Sequence, residues 1–120
     1  MTKQFVFMEA SQHLSSTAFR IFNFLIRCAE QGNPTLYGDV ANVVGLSPRN
    51  LSEHLDAINH FTFPRYEFLL SAIVHESGKG QPAVEFADYA WKSFGVRINS
   101  QLWYAQEFTK IEYWLRTEFH

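Results

Sequence analysis

A chain of 120 residues that is 47% hydrophobic can bury one core and is too short for two ordinary domains, so a single domain over residues 1–120 is expected. Ten Lys or Arg, scattered singly, stand against 12 Asp or Glu; the resulting net charge of -2 excludes strong generic attraction to a polyanion unless the few cations converge or the protein dimerises. The lone cysteine, Cys28, excludes an intramolecular disulfide and a thiolate metal cluster and favours a cytoplasmic setting, while no secretory leader is recognisable and no apolar run approaches the roughly 20 residues of a membrane span.

Aromatic residues are abundant, with 12 Phe and 3 Trp, so some are available to line an interface. Lys3 to Met8 is β-rich and predicts a short edge strand. Ser15 or Ser16 then offers an N-cap for a helix to about Gln31, stopped by Gly32 and Pro34. Its core stripe is Phe19, Phe22, Leu25, Ile26 and Ala29, with Arg20, Asn23, Arg27 and Glu30 opposite and Phe24 a misfit on the polar side.

Leu36 to His60 predicts a helix-turn-helix. Val40, Ala41, Val43 and Val44 form the first apolar face, Gly45 permits the turn, and Leu51, Leu55 and Ile58 recur at steps of four and three on the second helix. Thr35 and Ser47 are the expected caps, and Pro48 sits just inside the second helix, where its missing N–H costs nothing. The pattern breaks over Asn59 to Pro64, which predicts a connection. Phe68 to His75 then predicts a buried strand, the Ser77 to Pro82 cluster a turn, and Ala83 to Phe86 a returning strand, together a β-hairpin wing with Lys79 its one cation. A short helix from Ala87 to Phe94 ending at Gly95, an extended piece over Val96 to Ile98, and a last helix from about Gln101 to Thr117 complete the chain. That helix carries Tyr104, Phe108, Ile111 and Leu115 on one stripe and Trp103, Lys110 and Trp114 on another. The expected fold class is α+β, mainly α: a winged helix-turn-helix with an N-terminal strand and an aromatic C-terminal helix.

The run Tyr37-Gly38-Asp39-Val40-Ala41, followed by Gly45, Arg49 and a wing, resembles the winged-helix DNA-binding domain of the alkylguanine alkyltransferases and their alkyltransferase-like relatives, over roughly residues 35–86. The resemblance implies that Tyr37 and Arg49 act at DNA. Where that family carries Pro-Cys-His-Arg this chain reads Phe63-Pro64-Arg65-Tyr66, and without the methyl-accepting cysteine the resemblance does not extend to alkyl transfer. The chain is also similar to small winged-helix domains of prophage and restriction-associated proteins, through the same opening, an Arg in the second helix, and Leu70 to His75 leading to Gly80-Gln81-Pro82. Arg49 to His54 superficially resembles the Arg-x4-His motif of HEPN ribonucleases, although the helix-turn-helix signals around it differ from long HEPN helices.

A recognition helix reads bases with side chains near its N-terminus while its N–H groups meet a phosphate. Arg49 can bond bidentately to guanine and Asn50 to adenine, so Tyr37, Ser47, Arg49, Asn50, Ser52 and Lys79 are the candidate nucleic-acid contacts. Glu53 and Asp56 oppose phosphates, and an Arg49–Glu53 helix pair is the competing, purely structural role. His13, His54, His60, His75 and His120 have no metal-binding spacing and no catalytic constellation is evident, so neither metal, cofactor nor enzymatic activity is expected. The expected function is a non-catalytic DNA-binding protein, a regulator of a phage or mobile element. The alternative is a protein-binding inhibitor or adaptor of phage or mobile-element origin that uses the winged helix as scaffold and aromatic residues as the contact. A homodimer is expected through Trp103, Tyr104, Phe108, Ile111 and Trp114, because Gln101 to Leu115 is apolar over more than one face, and two half-sites would also lift the affinity of a weak reader.

Overall fold

The structure is a computed structural model and describes residues 2–118, so His120 lies outside the described residues. It is mainly helical, with one small parallel sheet. The predicted N-terminal strand is instead helix α1, Lys3–His13. The Thr2 hydroxyl accepts the Phe5 N–H at 3.1 Å to cap it. Val6 and Ala10, four residues apart, are buried, and Phe7 meets Phe19 and Phe22 edge-on at 6.5 and 6.1 Å. The β-rich hexapeptide yields to this packing, since strand propensity is largely a statement about surroundings.

Helix α2, Ser16–Glu30, is the centre of the core. Ser15 caps it, its Oγ accepting the Ala18 N–H at 3.1 Å. It buries Ala18, Ile21, Phe22, Leu25, Ile26 and Ala29, while Phe19 and the misfit Phe24 are half-buried against the same core. Strand β1, Thr35–Leu36, pairs in parallel with β2, Val74–His75, placing Thr35 opposite Val74. Thr35 is thus a buried strand residue and not a helix cap; Leu36 holds the cap position of α3, Tyr37–Val44, without a side-chain bond.

Gly45 turns the chain in the left-handed region at φ 70°, where a Cβ is disfavoured. A 3-10 turn over Pro48–Asn50, entered from Ser47, leads into α4, Ser52–Tyr66. The predicted break over Asn59 to Pro64 does not occur. Asn59 and Thr62 extend the Leu55 and Ile58 stripe by four residues each and are fully buried, their polar atoms bonded. Thr62 Oγ1 donates to the Phe68 carbonyl at 2.8 Å. Pro64 falls in the last turn, where losing one N–H does not unseat a helix anchored by Phe61. Glu67 closes it at φ 65°, and Lys110 Nζ donates to the Glu67 carbonyl at 2.8 Å.

Phe68 to Val74 is buried throughout, yet it is not the strand predicted: Leu70–Ile73 is a 3-10 turn and only Val74–His75 is extended. A short run of continuous apolar residues carries no periodicity that separates these alternatives. The predicted returning strand is also absent. Glu76 N–H donates to the Gln81 carbonyl at 2.9 Å across a turn, and Val84 and Glu85 then turn directly into α5, Phe86–Phe94. Gly95 ends α5, and α6, Leu102–Thr117, lies against α2 and the 3-10 turn.

Much of the aromatic surplus is used within the chain, while Phe5, Trp91 and Tyr113 stay exposed. Rings follow one another from Phe22 to Phe61 at 5.7 Å, to Tyr66 at 6.1 Å, to Trp114 at 4.6 Å and to Phe68 at 5.2 Å. A second cluster gathers Leu69, Ala72, Phe86 and Ala90 with half-buried Trp103 and Tyr104. Among the described residues no helix is long and apolar enough to cross a membrane.

Candidate functional site at the first turn of α4

The path from Gly45 to α4 exposes a continuous polar tract. Ser47, Pro48, Arg49, Asn50, Ser52 and Glu53 are all exposed, while Leu51 between them is 1% exposed and pins the turn to the core. Arg49 forms no ion pair or side-chain hydrogen bond with a described residue. The Arg49–Glu53 pair is not formed; Glu53 lies 3.7 Å from His54 Nε2 instead. An unpaired guanidinium near a helix N-terminus is opposed by the helix dipole, so its position contributes nothing evident to stability.

Asp56, expected to oppose a phosphate, has a half-exposed side chain bonded within the chain. Its Oδ1 accepts the Tyr89 hydroxyl at 2.6 Å and lies 3.2 Å from His60 Nδ1. Behind it, Asn59 Nδ2 donates to Ser71 Oγ at 2.7 Å and to the Tyr89 hydroxyl at 3.1 Å, and Asn59 Oδ1 accepts the Ser71 N–H at 3.1 Å. This network joins α4, the 3-10 turn and α5. Burial, and then the Asp56 acceptor, raise the Tyr89 phenol far above its ordinary range, so it remains a donor. Sequence reasoning missed Asn59 and Tyr89. The available signal was a polar residue four positions after Leu55, on the apolar stripe.

Compared with known proteins, the chain matches no family model, no curated protein and no solved structure. The site therefore rests on its own geometry.

Tyr37, Arg49 and Ser52 line one groove of about 320 Å³ between α4 and α5. The Tyr37 hydroxyl accepts the Ala83 N–H at 3.2 Å, which ties the returning loop to α3, and burial holds its phenol above the ordinary range. Lys79 is exposed on the turn but lines a different groove, with His75 and Tyr104. The five residues expected at a dimer interface all pack within the chain. Ile111 and Trp114 are core residues, Phe108 rests on them, and Trp103 and Tyr104 belong to the second cluster. The outward face of α6 keeps Leu102 and Tyr113, separated by exposed Gln106 and Thr109.

One buried carboxylate serves the fold. Glu107 is 3% exposed; its Oε2 accepts the Leu69 N–H at 2.7 Å and its Oε1 lies 3.2 Å from Lys110 Nζ. Among the described residues no group of three or more His, Cys, Asp or Glu is placed to hold a metal ion.

Proposed function

We propose that the protein is a non-catalytic DNA-binding protein of helix-turn-helix type, docking the 3-10 turn over Pro48–Asn50 and the first turn of α4 against a duplex. The observation that carries this reading is the exposed Ser47 to Ser52 tract with Arg49 unpaired, at the N-terminus of a helix entered through a left-handed glycine. Arg49 and Asn50 are the base readers, Ser47 and Ser52 the phosphate contacts, and the turn bearing Lys79 stands in for a wing. The resemblance to prophage winged-helix domains adds a role as a regulator of a phage or mobile element.

Fluorescence anisotropy with random and selected duplexes over a salt series tests the reading. The expected affinity falls with salt as about two to four phosphate contacts would require, and Arg49→Ala weakens it by about 1–3 kcal/mol. Absence of binding at low salt sinks it.

A second reading, capture of a protein partner, is favoured by one observation: Phe5 and Met8, three residues apart on α1, are 46% and 52% exposed. Homodimerisation would draw on Leu102 and Tyr113 rather than the five packed residues, and a monomeric mass in solution removes it.

A further inference from the structure

We propose that the groove between α4 and α5 binds a small organic cation with a flat apolar body, such as an aryl amidinium or aryl ammonium compound. The groove holds about 320 Å³, at the lower end of small-ligand sites and suited to a single ring with a short substituent. Leu51, Leu55 and Phe86 supply apolar walls, and the rings of Tyr37 and Tyr89 add aromatic surface. The faces of such rings are negative and favour a cation.

The polar groups of the floor are already committed to one another. Both Asn59 donor contacts, the Asn59 acceptor and the Tyr89 proton are engaged within the protein. What remains open to an occupant is the Arg49 guanidinium and the Ser52 hydroxyl as donors, and carboxylate oxygens as acceptors. Both the Tyr89 hydroxyl and the His60 ring meet the Asp56 carboxylate at Oδ1, leaving Oδ2 without a protein donor among the described residues. Glu85, exposed on the same groove, has no ion-pair partner among them. Two carboxylates against the single exposed guanidinium of Arg49 give the lining a net negative charge. An anion would find one charged donor, Arg49, against two carboxylates, whereas an amidinium offers two parallel N–H groups to one carboxylate. This site does not depend on DNA binding, although its occupant would rest against Pro48 and Ser52 of the turn assigned to DNA.

The test uses the full chain labelled with nitrogen-15 and three ring-matched probes: benzamidine, benzoate and benzyl alcohol. Benzamidine is expected to give saturable shifts at the Asn59 side-chain amide and the Ser71 and Tyr89 amides, with an affinity of about 1 mM. Benzoate and benzyl alcohol are expected to bind at least about tenfold more weakly, and Asp56→Asn and Glu85→Gln each to weaken benzamidine by about three- to tenfold. Glu85 is exposed, so its substitution reports on the site even where Asp56→Asn disturbs the Tyr89 bond. Equal responses to the three probes, shifts confined to other regions, or no saturable shift overturns the assignment.

Discussion

Two arginines flank the body of α4, Arg65 in its last turn and Arg49 in the 3-10 turn that leads into it, and their surroundings are opposite. Arg65, in the last turn, lies 3.3 Å from Glu9, donates to the Phe61 carbonyl at 3.0 Å and rests 4.4 Å from the Phe61 ring centroid. It also favours the negative end of the helix dipole. Arg49, just before the first turn, has none of these partners and faces the positive end. Arg65 is held by the fold and contributes to its stability, whereas Arg49 is left to solvent, as the proposed DNA contact requires.

The largest effect that sharpens this contrast is at the anchored end. Phe61 is 2% exposed and meets Phe22, Tyr66 and His13, so Phe61→Ala should destabilise by about 3–5 kcal/mol in denaturant unfolding. A loss below about 1 kcal/mol would mean that the aromatic chain is not packed as described.

Next is the middle of α4. Asn59→Leu leaves the buried Ser71 N–H without its acceptor and should cost about 1–3 kcal/mol. An unchanged midpoint would show that the α4–α5 network contributes nothing to stability.

The arginines themselves come third. Arg65→Ala should lower stability by about 1 kcal/mol and leave DNA affinity unchanged, whereas Arg49→Ala should keep stability within about 0.5 kcal/mol. Equal effects of both substitutions on unfolding would erase the distinction between the two arginines.

The smallest effect concerns pH. Burial raises the Glu107 carboxyl above its ordinary range, outweighing the Leu69 N–H and Lys110, which lower it. The folded state therefore holds this proton more tightly than the unfolded chain, and the stability it contributes is present below the ordinary Glu pKa and lost as pH rises through the raised value. Thermal unfolding of Glu107→Gln should lack that component of the pH dependence, while the wild type retains it.

Much of the α2 to α4 region was legible because its signals are local: Ser15 as a cap, Gly45 as a left-handed turn, and Leu51, Leu55 and Ile58 at helical spacing. Two misreadings share a different cause. Lys3 to Met8 prefers strand by composition, but only the contact of Val6 and Ala10 with the core makes it a helix. Asn59 and Thr62 looked like a break because their hydrogen-bond partners, Ser71 and Phe68, lie several residues further along. The wing failed for lack of a pairing partner: β2 spends its pairing on β1, and the returning loop is held by the Tyr37 hydroxyl. Of the candidate site, the exposed tract from Ser47 to Ser52 was legible. The groove beside it was not, since Tyr89 and Phe86 arrive from α5.

The most direct test is a titration of the nitrogen-15-labelled chain with a duplex at low salt, following every backbone amide. The account predicts that the largest shifts fall between Ser47 and Glu53 and disappear in Arg49→Ala, while amides from Phe61 to Tyr66 stay in place. Shifts centred on Phe5 and Met8, or none that respond to salt, would contradict it.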